Sequence, residues 1–582
     1  MDRDRLLTWL SRLMFVVAAV AAISLLLEYG FYLSPAAREA LHAVDLAVVG
    51  VFIADALLRF ALSRKKFFHV KLRWPALAIA ALVVSQLALV RRLIGTEWMP
   101  AVLEEQGVFS LTKGYIVVLQ VYLLLLIVGQ AVAANRRIAS MRVRPARTVM
   151  LSFLLLIAVG ALLLSTPKAT VRGIAPLDAV FSATSAICVT GLVVVDTGTE
   201  FTRFGQAILL TLIQIGGLGL ITFATFFAVA MRRTLGLRES LAARGALSYE
   251  GLGRMGRTLG TVIGLTVLLE AVGAVLLFVS TRGEFGSPRA ALWTSVFHSI
   301  SAFCNAGFSL HSTSLERYVG NVPVLLTVTT LIVLGGLGFP VMMNALGYRV
   351  LAEHPSRCRS RWGVHARLVL LVTGVLLAVG TVGFFFLERN GALAGKSLGQ
   401  QVLSSYFGSV TARTAGFNTV RTAYLSLPTL FLLTALMFIG GSPGGTAGGV
   451  KTSTTGVVFA TISALFRGKN RVEIMRRRIP DTVVNQALVV VAAAILIVTG
   501  GTFFLLASEG GALSDALFEV VSAFGTVGLS TGMTPLLSPG SKVVLALVML
   551  IGRIGPLTLA LAVGQREARQ SYDYPEETVL VS

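Results

Sequence analysis

Phe518-Glu519-Val520-Val521-Ser522-Ala523-Phe524-Gly525-Thr526-Val527-Gly528 decides how this chain is read. The stretch runs from an aromatic residue to a glycine ten positions later, between two longer apolar segments at 483–506 and 541–563. It is too short to cross a bilayer, which takes about 20 residues as a helix. An apolar segment of this length between two spans dips into the membrane and returns to the face it came from. Its weight depends on whether the chain repeats it.

Four copies follow one another from Thr148 onward. The first is Phe181-Ser182-Ala183-Thr184-Ser185-Ala186-Ile187-Cys188-Val189-Thr190-Gly191 and the second Phe297-His298-Ser299-Ile300-Ser301-Ala302-Phe303-Cys304-Asn305-Ala306-Gly307. The third is Tyr406-Phe407-Gly408-Ser409-Val410-Thr411-Ala412-Arg413-Thr414-Ala415-Gly416, and the opening stretch is the fourth. A large apolar residue follows each final glycine: Leu192, Phe308, Phe417 and Leu529. Each copy lies between a first spanning helix (about 148–166, 258–280, 366–387 or 483–506) and a second that carries paired or closely spaced glycines. These are Gly216-Gly217-Leu218-Gly219, Gly335-Gly336-Leu337-Gly338, Gly440-Gly441 and Gly552-Arg553-Ile554-Gly555. Fixed spacing in four copies marks an internal repeat. It divides the chain into units 147–257, 258–365, 366–481 and 482–563, preceded by a domain at 1–146 and followed by a cytoplasmic tail at 564–582.

Composition agrees. The 582 residues are 55% hydrophobic and only 13% charged, with a mean hydropathy of +0.80, outside the range of soluble domains. The expected fold is an all-α polytopic membrane protein in which four fused helix/re-entrant loop/helix units surround one pore, with additional N-terminal transmembrane helices. The formal net charge of +22 does not indicate a nucleic-acid partner, because Arg and Lys concentrate in short segments between apolar runs. Arg232-Arg233 to Arg257, Arg349 to Arg367, and Arg467 to Arg478 all read as cytoplasmic. Every unit then starts and ends inside, and the re-entrant segments enter from outside. Cys188, Cys304, Cys358 and the six histidines show no metal or catalytic spacing. Met1-Asp2-Arg3-Asp4-Arg5 precedes an uncleaved first helix.

Residues 1–146 hold four expected spans, roughly 13–32, 41–62, 74–95 and 113–134. Arg3, Arg5 and Arg12, then Ser63-Arg64-Lys65-Lys66 with Lys71-Leu72-Arg73, then Arg136 to Arg147, lie on the cytoplasmic side; Arg91 and Arg92 break that rule. Phe52, Asp55 and Arg59, with Phe68 and Trp74, resemble part of a voltage-sensor-type domain. The fourth span, Tyr115 to Val132, lacks the arginine ladder that carries gating charge, which favours a structural or docking role.

The repeated segments suit a cation. Irregular backbone at membrane depth is tolerated where protein buries it or where it lines water. A short helix starting at each aromatic would aim its partially negative C-terminus at a common axis. Beyond it, Cys188-Val189-Thr190-Gly191, Cys304-Asn305-Ala306-Gly307, Arg413-Thr414-Ala415-Gly416 and Gly525-Thr526-Val527-Gly528 would run extended with carbonyls inward. The glycine provides positive φ without a side-chain clash. Side chains before it differ freely (Thr190, Ala306, Ala415, Val527), as backbone ligation permits. Thr526-Val527-Gly528 also repeats the start of the Thr-Val-Gly-Tyr-Gly loop whose carbonyls dehydrate potassium in channels. Close helix packing is the alternative use of small residues, and it is the reading for Gly216 to Gly219 and Gly335 to Gly338.

On these residues the chain resembles the Trk/Ktr/HKT superfamily of potassium transporters over roughly 148–582. Val410 to Thr419 and Ser522 to Ser530 are similar to its third and fourth filter segments, and Tyr574-Pro575-Glu576-Glu577-Thr578-Val579 to the end of the Ktr membrane subunit. In plant relatives a serine at the first filter glycine accompanies sodium preference; Gly191 here implies potassium. The four-span leader departs from both Trk and Ktr. The resemblance implies a homodimer in the cytoplasmic (inner) membrane, each chain with its own pore. A cytosolic nucleotide-binding ring would regulate it and would carry the ATP/ADP or NAD. This chain itself would bind no cofactor, with K⁺ only as the transported ion and lipids around it.

Gly440-Gly441-Ser442-Pro443-Gly444-Gly445-Thr446-Ala447-Gly448-Gly449-Val450-Lys451-Thr452-Ser453 interrupts the second helix of unit three. Gly costs about 1 kcal/mol and Pro about 3 in a helix interior, so a loop is expected above a wet cavity. A phosphate-binding loop would need Gly where Val450 stands. Resemblance makes Gly444, Gly445, Gly448, Gly449 and Lys451 part of an intramembrane gating loop. Arg553, costing at least ~2.5 kcal/mol at mid-membrane, becomes its electrostatic barrier or latch. Asp178 and Asp515 read as helix-start caps, Cys188 and Cys304 as packing residues, and Arg413 as a partner of Glu519; Glu270 has no evident role. The function expected is gated, channel-like potassium uptake, with a sodium-permeable or cation-coupled carrier as the alternative. A membrane enzyme would need converging acid, base or nucleophile, which the sequence lacks.

Overall fold

The computed structural model describes scattered positions between 13 and 30, then residues 31–62, 145–234, 252–347, 363–469, 471–556 and 558–559. The expected spans at 74–95 and 113–134, the voltage-sensor-like Phe68 and Trp74, and the tail at 564–582 lie outside these residues. Two compact bodies are present: Met1–Val143 with Thr166–Lys168, and Arg144–Ser165 with Ala169–Ser582. In the first, helix α1 (Pro35–Leu62, 28 residues) begins where Ser34 accepts from the Ala37 amide, six residues ahead of the expected span.

The second body holds four units. The first helices are α2 (Pro145–Leu164), α5 (Leu252–Thr281), α9 (Val364–Glu388) and α13 (Asp481–Glu509), within a few residues of expectation. On α9, Leu371, Val375, Val379, Val382 and Phe386 are all more than half exposed, while Val369, Thr373 and Phe384 are buried. That spacing puts one apolar stripe outward on a helix whose mean hydropathy reaches 2.5. Outward apolar residues around an interior holding Ser185, Ser299, Ser409 and Ser522 suit a lipid surround.

The re-entrant helices are α3 (Pro176–Ile187), α6 (Pro288–Phe303), α10 (Leu398–Thr411) and α14 (Leu513–Gly525). At 12 to 16 residues and about 1.5 Å per residue, none crosses a bilayer. They start five to nine residues ahead of the aromatics where the sequence reading began them. Caps explain the difference: Pro176 and Pro288 fit the first helical turn, Ser287 accepts from Ala290, and Ser397 with Gln400 forms a capping box.

The second helices are α4 (Arg203–Thr234), α7 (Val322–Leu337), continued by α8 (Phe339–Gly347), α11 (Leu427–Phe438), continued after the loop by α12 (Thr452–Phe466), and α15 (Pro539–Ile554). Unit two was expected to have one continuous second helix. Instead α7 and α8 meet at 100°, because Gly338 adopts φ 84 and ends α7. Gly216, Gly335 and Gly552 do serve close packing: a Cβ on each would stand about 2 Å from the carbonyl oxygen of Ile187, Phe303 or Phe524 at the end of its own re-entrant helix (2.1, 1.9 and 1.9 Å). Each second helix also packs on the next unit's re-entrant helix, α4 on α6, α7 on α10, α11 on α14, and α15 returns to α3. The four units therefore close into a ring.

Candidate functional site

The four motif glycines meet at the centre of that ring. A Cβ built on Gly191 would stand 2.4 Å from the Ala306 oxygen, on Gly307 2.8 Å from Ala415, on Gly416 2.5 Å from Val527, and on Gly528 2.2 Å from Thr190. Each glycine thus abuts the carbonyl preceding the next glycine, in cyclic order. Their φ values of 92, 71, 77 and 89 would strain any other residue.

The preceding segments are not extended, which corrects the sequence reading. Two residues before each glycine, Val189, Asn305, Thr414 and Thr526 adopt φ of 56, 60, 71 and 51. Three of these are β-branched, for which positive φ is a genuine outlier. Strain of about 1–3 kcal/mol each persists only where surroundings fix it, and each re-entrant helix does so. The amides of Thr190, Ala306 and Val527 donate to Ser185, Ser301 and Ser522 carbonyls at 2.7–2.8 Å, and that of Ala415 to Thr411 at 2.9 Å. Hydroxyls reinforce them: Ser185 and Ser522 accept from the Gly191 and Gly528 amides at 3.1 Å, while Ser301 and Thr411 donate to the Phe308 and Phe417 carbonyls. Four helix C-termini, each partially negative, converge on this point.

Below the ring lies the interrupted stretch between α11 and α12, and it reaches several units. Ser442 and Thr446 amides donate to Gly336 and Gly335, Phe339 donates to Gly444, and Gly448 donates to the Thr526 hydroxyl at 3.0 Å. The Thr446 hydroxyl lies 3.2 Å from the Asn305 amide group. Lys451 turns back to donate to Ala447 at 2.6 Å. Gly444 and Gly449 have φ of 74 and 67, and Gly445 sits 3.0 Å from the Gly335 oxygen by the same Cβ measure. Arg553, expected at mid-helix, is the penultimate residue of α15 and is 1% exposed. Its guanidinium donates to the Thr446 carbonyl in the loop and to the Gly216 carbonyl of unit one at 2.6 Å.

Three charge assignments change. Arg413 does not pair with Glu519; it reaches the Thr373 and Gly440 carbonyls at 3.5 Å, the latter where the loop begins. Glu519, buried, accepts instead from Ser530, Thr531 and Thr534 in the segment that follows the motif glycine. Asp178 and Asp515 cap nothing as N-cap residues: Ala175 and Ala512 hold those positions, and the acids stand in the first turn, Asp178 bound to Lys542 at 2.6 Å. Glu270 gains a place, its carboxylate 3.2 Å from Gln214 and 3.8 Å from the Cys304 sulfur. Cys188 and Cys304 are buried helix C-caps. Nothing in the sequence marked the Glu519 contacts with Ser530 and Thr534, made across a helix end and a loop, or Thr446, whose partners come from other units.

Four pseudo-equivalent units around one axis, with an apolar exterior and four strained loops meeting at the centre, define an all-α multi-pass membrane protein of the ion-transport class. Residues 116–571 match the family model of TrkH, described as a cation transport protein. The chain is 36% identical over 447 residues to Ktr system potassium uptake protein B of Bacillus subtilis, covering 75% of this chain and 97% of that one. It is 38% identical over 436 residues to the Vibrio alginolyticus protein of the same name, covering 75% and 94%. To the potassium/sodium uptake protein NtpJ of Enterococcus hirae it is 34% identical over 449 residues, covering 76% and 98%. The crystal structure of the potassium transporter TrkH from Vibrio parahaemolyticus shares the fold, with a TM-score of 0.60 at 20% identity over 84% of this chain and 97% of that chain. The chain belongs to the TrkH family of cation transport proteins.

Proposed function

We propose that the chain takes up potassium across the cytoplasmic membrane through a filter formed by Cys188 to Gly191, Cys304 to Gly307, Arg413 to Gly416 and Gly525 to Gly528, gated by the loop at 444–451 with Arg553. One observation carries the reading: positive φ recurs at each motif glycine and again two residues before it, in all four units. Alternating the sign of φ along a strand turns successive carbonyls toward one side, and an organised row of carbonyls replaces a cation's hydration shell. The relatives named for potassium uptake support potassium as the ion. The loop ties and the Arg553 bonds support a closed gate, since a guanidinium and several buried glycines next to the proposed filter would confront a passing cation with like charge and occupied space.

The relative named for potassium and sodium supports a second reading, a sodium-permeable pathway. The Ktr system name further supports a second, cooperating subunit; we read that partner as a cytosolic nucleotide-binding ring, the chain as a homodimer, and residues 1–146 as an additional membrane domain that docks partners or stabilises the assembly. Flux of K⁺, Rb⁺ and Na⁺ into proteoliposomes, for the wild type and Arg553→Ala, tests the proposal. K⁺ and Rb⁺ entry with Na⁺ excluded supports it; equal Na⁺ entry favours the second reading. No cation flux from either protein, with both correctly folded, overturns it.

A further inference from the structure

The second position of the re-entrant motif holds a different residue in every unit: Ser182, His298, Phe407 and Glu519. In units two and four that residue performs the same act. Glu519 accepts from the Ser530 hydroxyl at 2.5 Å, and the Ser530 oxygen accepts from the Gly532 amide at 2.9 Å. His298 Nε2 lies 3.0 Å from the Ser309 hydroxyl, and the Ser309 oxygen accepts from the His311 amide at 3.0 Å. Serine stands two residues past the motif glycine in both units, and the amide four residues past it. His298 Nδ1 lies 2.8 Å from the Thr294 carbonyl, which only accepts, so Nδ1 carries the proton and Nε2 of the neutral ring is the acceptor. A glutamate and a histidine thus fill one chemical role. Glu519 adds the Thr531 amide at 3.1 Å and the Thr534 hydroxyl at 2.7 Å.

Units one and three lack the serine, having Val193 and Asn418 there. Unit one turns its strand on Asp196, which accepts from Gly198 and Thr199, and unit three borrows Ser314 from unit two. Because the glycines follow one another in cyclic order, units two and four face each other across the axis. Two opposed relays therefore bind the strand leaving the ring to the helix entering it. Glu519 is fully buried and His298 nearly so, which makes each lost acceptor costly to the groups left unpaired.

We infer that His298 and Glu519 are specificity-determining positioning residues, whose acceptor atoms hold the outgoing strands of units two and four and thereby the spacing of the central glycines. The inference rests on the filter reading proposed above. The serine's one proton goes to position two while its oxygen accepts from the backbone amide, so position two must accept. Glutamine satisfies that; leucine of similar size does not.

Reconstituted Glu519→Gln, Glu519→Leu, His298→Gln, His298→Leu, Ser530→Ala and Ser309→Ala proteins are compared for Rb⁺ uptake KM, K⁺ over Na⁺ discrimination and thermal midpoint, with Gly528→Ser as the filter control. The leucine and alanine variants should lose about tenfold in discrimination, equivalent to roughly 1.4 kcal/mol, with a raised KM; both glutamine variants should stay within about twofold. Folded leucine variants that discriminate normally, or glutamine variants as impaired as leucine, overturn the inference. If a leucine variant does not fold, the serine variants in the outer loops give the answer. Should Gly528→Ser also discriminate normally, the filter reading itself fails; if it alone loses discrimination, only the relays do.

Discussion

The Arg553 guanidinium, at the end of the last helix of unit four, grips the main-chain carbonyl of Thr446 in the loop of unit three. The same side chain holds Gly216 of unit one, so three units share one buried cation. Charge-assisted hydrogen bonds contribute about 1.5–3 kcal/mol each, and each 1.4 kcal/mol is tenfold in an equilibrium. Arg553→Ala should therefore raise cation flux by roughly tenfold or more, and so should deletion within 444–449. The measure is ⁸⁶Rb⁺ flux into proteoliposomes at matched protein density; unchanged flux in both variants would remove the gate.

The ring of glycines yields a ranking. A Cβ at Gly528 would lie 2.2 Å from the Thr190 oxygen, so Gly528→Ser must displace a backbone carbonyl. Val527 is fully buried, and Val527→Ala removes two methyl groups without touching the backbone. The serine variant should lose at least about tenfold in K⁺ over Na⁺ discrimination, while the alanine variant loses about 1–2 kcal/mol of stability and little discrimination. Bi-ionic reversal potentials decide; the opposite order would put the ion's ligands elsewhere.

Much of this was legible because four copies in one chain act as controls for one another. The aromatic-to-glycine spacing located the ring, and Gly, Pro and Gly in succession put a break at 440–453, where the helix is interrupted between Phe438 and Thr452. What the sequence concealed was conformational or relational. Val189, Asn305, Thr414 and Thr526 share no side-chain chemistry, and their common φ is imposed by the helix ends behind them. Gly335 and Gly338 look alike in sequence, yet one packs against Phe303 and the other bends the chain by 100°. Arg413 and Glu519 suggested an ion pair by charge alone; Glu519 instead accepts from Ser530, Thr531 and Thr534, and Arg413 reaches two main-chain carbonyls at 3.5 Å.

In the loop between α6 and α7, His311 is expected to make stability depend on pH. Its ring stacks on His298 at 5.1 Å and faces Phe285 and Tyr318, with Arg317 and Glu284 nearby. Burial, aided by the Arg317 charge and opposed by Glu284, pushes its pKa down to about 4. An unfolded histidine titrates near 6.5, so between about 6.5 and 4 the unfolded chain holds the extra proton, and stability falls as pH falls. Thermal midpoints from pH 7 to 5 should drop more for the wild type than for His311→Phe. Parallel curves would show that another group sets the acid response.

Ring closure itself rests partly on Lys542 of α15 and Asp178 of α3, whose Nζ and Oδ1 are 2.6 Å apart with side chains 14% and 20% exposed. Exposed pairs contribute about 0.2–1 kcal/mol; this one is largely shielded and joins the last unit to the first, so a coupling near or above 1 kcal/mol is expected. Asp178 also stands in the first turn of its helix, where a negative charge is favoured by about 0.3–1 kcal/mol. The two effects separate in a double-mutant cycle. Asp178→Asn and Lys542→Met should each lower the thermal midpoint and combine with less than additive loss. The reversed pair, Asp178→Lys with Lys542→Asp, should recover the coupling but not the helix-end contribution, leaving stability between wild type and the single variants. Strict additivity would mean that the fourth unit is held to the first by packing of α15 on α3 alone.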